Sequence, residues 1–565
     1  MKKKAAPFLA VALLVLTVAA IGGITGIVKK YTPTSEVMKA EEYFGLADEK
    51  EAALIIEDEI SEYKGRIENE VPYVDYEVVK SVLNKRFYWD AENNLLLFTT
   101  PTDVIEVPAG GKEYTAGGKK NTENYEIVQA DGEKTYIALE FVKKYTDLDY
   151  EMFHTPDRIV ITNERGEKTV ANIRKKAKMR YQGGIKSPIL REVEKNEVVT
   201  ILEPMEDWTG ILTQDGYIGY IKNDRLVEQR TETVTSEFVQ PDYTSVRKDY
   251  KINLVWHQIT NMDSNYSIIY DIANIKGVNT ISPTWYSIIS EDGELSSLAE
   301  ATYVQTAHSN DMEVWALIDN FNEAVDTAKV LNSTSAREKI INKLIAEAIE
   351  FQFDGINVDF ETVPEEAADG YLQFIRELSV KCRKNELVLS VDVPVPMPFS
   401  MHYDREELGT ICDYVIIMGY DEHYYGSEAG SVASLGFEDQ GILETRKEVP
   451  AEKIISGIPF YTRLWNTETL ADGTTNVTSE ALGMTEAKQR LENNNVEYAW
   501  NEETSQNYAE FTGDDGSLYQ IWLEDEKSIE EKMKLVKNYG LGGVAAWKLG
   551  FENDAVWDVI LKYVR

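Results

Sequence analysis

The stretch "FDGINVDFE", residues 353–361, decides how the C-terminal half of the chain is read. Its apolar run predicts a buried strand, yet it holds Asp354, Asn357, Asp359 and Glu361. Side chains alternate between the two faces of a strand. Asn357, Asp359 and Glu361 stand two residues apart and share one face, while Ile356, Val358 and Phe360 share the other. Burying such polar groups unpaired is costly, so they need a hydrogen-bonded network, structural or functional. Same-face carboxyls lie ~6.5–7 Å apart along the backbone and can lean together. Like charge and partial burial raise the pKa of one of them. Glu361, at the strand mouth, is then expected to hold a proton near neutrality and act as a general acid, with Asp359 orienting it.

Working outward, strand patterns recur at 252–259, 277–286, 313–320, 353–361, 387–395, 414–421, 453–461 and 542–550. Helical patterns lie between them, for example Tyr371, Phe374, Ile375 and Leu378. This alternation predicts an α/β fold, a closed parallel (β/α)8 TIM barrel. The polar face of the fourth strand then points inward. Glu361 lies at the carboxyl end, where such barrels keep catalytic groups. The long, aromatic-rich gap before the last strand (Trp465, Trp500, Tyr508, Tyr519, Trp522) predicts a small α+β insertion at about 462–520.

The pattern D-G-x-x-x-D-x-E, carried by Asp354, Gly355, Asp359 and Glu361, resembles glycoside hydrolase family 18, the chitinase-like and peptidoglycan N-acetylglucosaminidase-like enzymes. "MGYD" (418–421) is similar to that family's M-x-Y-D, and "GIPFYTR" (457–463) to its G-x-P-x-Y segment. Trp547 in "GGVAAWKLG" matches its eighth-strand tryptophan. The resemblance covers 250–565. It implies hydrolysis of β-1,4-linked N-acetylglucosamine glycans, peptidoglycan first and chitin second, by a retaining reaction in which the substrate's acetamido group is the nucleophile. It makes Glu361 the general acid/base and has Asp359 hold the acetamido N–H. Tyr420 would grip the acetamido oxygen, Asp421 a sugar hydroxyl, and Trp547 would floor the sugar subsite. Met418 and Asn357 join the implied substrate-binding set. Tyr461 and Trp285 are read as wall residues, with core packing as the alternative. Many members carry Asp where this chain has Asn357, which cannot hold a second charge or pass a proton to Asp359. A catalytically silent glycan-binding protein on the same barrel is therefore the alternative reading. No cofactor is expected, and no metal, because no two of His154, His257, His308, His402 and His423 have metal-ligand spacing.

The N-terminal half reads differently. Residues 5–28 are uncharged and mostly apolar, flanked by "MKKK" and "KK". About 20 such residues span a bilayer. Residues 1–30 are read as a cytoplasmic tail and single-pass transmembrane signal anchor, with the rest outside the cell; a cleaved signal is the alternative. Residues 31–50 and 230–249 read as linkers. Within 51–166, residues 72–100 resemble 135–163, an internal repeat. This module resembles the copper amine oxidase N-terminal-like domain, without implying copper. Residues 167–229 resemble a bacterial Src-homology-three-like (SH3-like) domain through "KSPIL", "EVVTILE", Trp208 and "DGYIGYI". The resemblance implies contact with the cell wall; Trp208 and Tyr220 fit either that role or a core. The first 230 residues also read as a stalk that sets distance from the membrane.

Lys plus Arg number 58 against 97 Asp plus Glu, a net charge of −39. That field repels phosphate backbones and excludes nucleic acid as a partner. Cys382 and Cys412 are too few for a disulfide framework and are expected to be buried free thiols.

Overall fold

Every apolar run picked out between 252 and 550 contains a strand. In the computed structural model, which describes residues 28–132, 134–470, 472–513 and 516–564, these are β1 (Ile252–His257), β2 (Thr280–Ile288), β3 (Glu313–Asp319) and β4 (Gly355–Asp359). They continue as β5 (Val388–Pro394), β6 (Tyr414–Met418), β7 (Ile454–Pro459) and β8 (Gly543–Trp547). Each pairs in parallel with the next around the ring, and β8 closes on β1. The barrel predicted from the alternation is therefore present.

Binary patterning explains the layers. The outward residues Ile356 and Val358 of β4 join the large core beneath the helices. Among these helices α1 (Thr334–Phe351) follows β3, α2 (Ala368–Lys384) follows β4 and α3 (Arg405–Ile411) follows β5. Tyr371, Phe374, Ile375 and Leu378 of α2 are buried, as their spacing predicts. Phe360, just past β4, stacks on Phe374 with ring centroids 5.4 Å apart. Inside the barrel, Trp256, Trp315, Leu317, Tyr414, Ile416 and Ile455 form a separate plug. Gly355 is required here: a Cβ would lie 2.8 Å from the Trp315 ring and 2.9 Å from the Val388 carbonyl oxygen. Asp354, beside it, accepts from the Val314 N–H at 2.8 Å and lies 2.8 Å from His308 Nε2. It fastens the foot of β4, away from the mouth.

The gap after β7 holds a five-stranded antiparallel sheet running from Tyr461–Thr469 to Leu518–Leu523, with the helix Met484–Asn493. It has its own core of Leu464, Leu482, Leu491 and Ile521. Cys382 and Cys412 are both free and buried.

The barrel belongs to one compact unit, residues 90–106, 115–119 and 241–565; the other comprises the remainder up to 240. In that second unit, residues 166–234 contribute seven short antiparallel strands to one sheet. The two segments that resemble each other in sequence begin alike, with the strands Val71–Asp75 and Lys134–Ala138 each entering a helical turn. Those two strands pair with each other. Among the described residues no helix is long and apolar enough to cross a membrane. The anchor expected at 5–28 lies outside the described residues except for Val28.

Candidate active site

At the carboxyl end of β4 the alternation holds through Asp359. Asn357 and Asp359 point inward and are buried. The strand then ends, so Glu361 sits in the following loop, exposed at the mouth, rather than on the strand itself. The loop is pinned through its backbone. The Asn320 side chain accepts from the Glu361 N–H and donates to the Glu361 carbonyl, both at 2.9 Å. The Tyr403 hydroxyl donates to the Phe360 carbonyl at 3.0 Å and accepts from the Val363 N–H at 3.3 Å. Thr362 and Asp421 sit at φ +50° and +57°. That region is uncommon outside glycine and a genuine outlier for a β-branched residue such as Thr362, while Asp adopts it more readily.

The electrostatics follow from crowding carboxyls at one rim. Asp359 is held well above the usual carboxylate range, first by burial and then by Asp392, Glu361 and Asp319. Glu361, although it opens to the mouth, is raised first by partial desolvation among the groups packed around it, then by Asp421 and Asp319. Burial also raises Asp319, which accepts from Ser287 Oγ at 2.9 Å and from the Phe321 N–H at 3.1 Å. From the sequence alone the retained proton is expected on Glu361. Both members of the pair are raised, because each is desolvated beside further carboxyls.

Opposite these acids lies an aromatic basin. Trp256 stands edge-on to Tyr420 at 6.5 Å and tilted to Trp547 at 6.2 Å; Tyr420 meets Tyr461 edge-on at 6.3 Å. The Tyr461 hydroxyl donates to Asp421 Oδ1 at 2.6 Å. A cavity of 560 Å³ opens beside Glu361, bounded by Pro394, Phe399, Tyr403 and Met418. Proton-holding carboxyls facing an aromatic floor can protonate a leaving oxygen while a ring stacks on the floor.

The family model described as "Glycosyl hydrolases family 18" matches residues 238–552. This chain belongs to that family. It is 29% identical over 284 residues to the glycosylase YvbX of Bacillus subtilis (strain 168), itself uncharacterised, across 48% of this chain and 81% of the relative. It is 25% identical to the cortical fragment-lytic enzyme of the same organism, across 40% of this chain and 54% of that protein. The solved Bacillus cereus spore cortex-lytic enzyme SleL superposes with a TM-score of 0.51 at 20% identity, covering 60% of this chain and 79% of that one.

Within this family 18 barrel, the structure gathers Glu361, Asp359, Asn357, Tyr420, Asp421, Tyr461, Trp547 and Met418 at one mouth. Trp285 is the exception. It is buried among Tyr303 and Phe353, at 5.1 and 5.2 Å, and donates to Asn265 Oδ1 at 2.8 Å. Alternation along β2 explains this: Ser282 reaches inward to Asn357, so Trp285, three residues on, faces the helices. Residues not singled out from the sequence also complete the site: Trp256, Ser282, Asp319, Asn320, Ser390, Asp392 and Tyr403. Ser390 and Asp392 carried the same signal as β4, polar residues two apart in an apolar run, "LVLSVDVPV".

Proposed function

We propose that the chain is a retaining glycosidase that cleaves β-1,4-linked N-acetylglucosamine glycans, with peptidoglycan as the favoured substrate. The observation that carries this reading is the pairing of buried Asp359 with mouth-facing Glu361, both raised, against the Tyr420–Trp547 basin. A sugar stacks on Trp547 with its acetamido group between Asp359 and Tyr420. The acetamido oxygen attacks the anomeric carbon while Glu361 gives its proton to the leaving oxygen, and the glycosidic C–O bond breaks. Asp359, as carboxylate, takes the acetamido N–H and stabilises the cationic ring that forms. The Tyr420 hydroxyl aligns the acetamido oxygen. Glu361 then takes a proton from water, which opens that ring with retained configuration.

The departing sugar occupies the cavity lined by Phe399 and Met418. Peptidoglycan is favoured because relatives are named for lysis of spore cortex and its fragments. The uncharged segment 5–28 supports placement at the cell surface. The same reading takes 167–229 as the module that contacts the wall, through a 390 Å³ groove beside Trp208 and Lys222.

Glu361→Gln abolishes turnover of a fluorogenic N-acetylchitobioside while thermal unfolding is unchanged. Wild-type turnover in that variant ends the assignment. Mass spectrometry of digests of purified peptidoglycan and of chitin separates the two substrates. Glycan binding without turnover by the wild-type protein would instead favour the silent alternative, the reading that Asn357 supports.

A further inference from the structure

Asn357 leaves Asp359 without the carboxyl neighbour that an Asp at 357 would provide, yet Asp359 is not without one. In the β4–β5 register Asn357 faces Ser390 and Val358 faces Val391. One step further brings Asp359 opposite Asp392, on strands ~4.8 Å apart. The Asn357 amide is oriented by its partners. Trp256 Nε1 donates to its Oδ1 at 2.9 Å and Ser282 Oγ donates at 3.1 Å. Its amide nitrogen is thereby turned toward β5, where it donates to Ser390 Oγ at 3.1 Å and Asp392 Oδ1 at 2.8 Å. Asn357 is thus the donor that a second carboxyl on β5 requires; an ionised Asp at 357 would repel it.

Both carboxyls are buried, Asp392 at 1% and Asp359 at 6% exposure. Each leaves one buried oxygen, Asp392 Oδ2 and Asp359 Oδ1, with no hydrogen-bond partner among the described residues. Orphaned buried acceptors are rare and costly, and two on adjacent strands at the same level are relieved together by one proton. Burial is the first cause that raises both groups; the neighbouring Asp392 raises Asp359 further, and Glu361 raises Asp392 against the opposing hydrogen bonds from Asn357 and Trp256. The other titratable groups facing the pair are Asp319 from β3, Glu361 beyond β4, Tyr371 from α2, Tyr403 before α3 and Tyr420 beyond β6. None of these is a cation, so protonation is the available means of neutralising the pair.

We propose that Asp392 is a positioning residue that shares a proton with Asp359 and so takes over, from the neighbouring strand, the role of the carboxyl that position 357 lacks. At rest one proton lies between Asp392 Oδ2 and Asp359 Oδ1. When an acetamido N–H reaches Asp359, the proton stays on Asp392 and Asp359 acts as the anion. Charge and protons balance, because the pair holds one proton throughout. The proposal rests on the glycosidase reading above for its catalytic consequence, though not for the shared proton.

Asp392→Asn is the test, since it keeps shape and burial. It is expected to lower kcat by about tenfold to a hundredfold, the worth of one charge-assisted hydrogen bond. KM changes little, and the acid limb of the kcat profile moves to lower pH because Asp359 loses its like-charged neighbour. Asn357→Asp combined with Asp392→Asn moves the carboxyl back across the strands and restores kcat: Trp256 and Ser282 still donate to position 357, and the amide introduced on β5 now donates to it as well. Infrared difference spectra against wild type near neutral pH are expected to show loss of one protonated carboxyl in Asp392→Asn and in Asp359→Asn. Spectra without that loss overturn the shared proton whether or not the enzyme turns over. Wild-type kcat and pH profile in Asp392→Asn overturn the positioning role. An inactive wild type, indistinguishable from Glu361→Gln, would sink the glycosidase reading instead.

Discussion

Asn320 offers a direct measure of how far the loop after β4 must be held for Glu361 to work. Its side chain closes a two-way hydrogen-bonded clamp on the backbone of Glu361, at 2.9 Å in each direction, and its amide also reaches Thr327 Oγ1 at 3.2 Å. Asn320→Ala removes the two bonds to Glu361. Each neutral hydrogen bond contributes about 0.5–1.5 kcal/mol net, so the clamp holds the loop by roughly 1–3 kcal/mol. If the Glu361 position is needed only in the transition state, that range converts to a fall in kcat of about 5–150-fold with KM nearly constant. The assay is steady-state hydrolysis of a fluorogenic N-acetylchitobioside, run alongside circular dichroism to confirm the fold. Asn320→Asp keeps the acceptor for the Glu361 N–H but places a carboxylate beside the general acid. It should recover part of kcat and move the alkaline limb upward, because a nearby like charge raises the Glu361 pKa. Wild-type kcat in Asn320→Ala would show that the Tyr403 bonds alone hold the loop, and the clamp reasoning would fail.

Two further outcomes test the burial described here. Asp359 titrates well above its unfolded range, so the folded state holds its proton longer than the unfolded chain does. Its stability contribution is complete below the unfolded pKa of about 4 and is lost as pH rises toward the folded pKa. Asp359→Asn should therefore stabilise the fold against urea at neutral pH and give no gain near pH 4; an equal gain at both would contradict the sign. Trp285→Ala should lower stability by about 3–5 kcal/mol, as for other large core truncations. It should leave KM unchanged, and a raised KM at full stability would return Trp285 to the cleft.

Much of the barrel was legible because period-two and period-3.6 patterns report burial directly. The β4 and β5 runs, the α2 spacing and the aromatic gap after β7 each name their own surroundings. Strand ends were less legible: the apolar pattern of 353–361 continues through Phe360 because that ring packs on Phe374, although the ladder stops at Asp359. That is why Glu361 reads as a strand residue but sits in a loop. Trp285 stayed open between site wall and core for a related reason. Aromatic character marks a site wall and a core equally, and only the inward pointing of Ser282 decides between them.

Asp392 illustrates what a one-dimensional pattern cannot carry. Its polarity was visible in "LVLSVDVPV", but its meaning depends on register, and register is fixed by how β5 lies against β4. Read along β4 alone, Asn357 is a lost charge. Read across the sheet, its amide nitrogen is the donor that lets a carboxyl be buried on the next strand. Two departures that each look unfavourable alone thus complement one another. A proton-holding network is specified by the number of carboxyls and donors around a barrel mouth, and neighbouring strands can exchange those roles while the mouth keeps its chemistry.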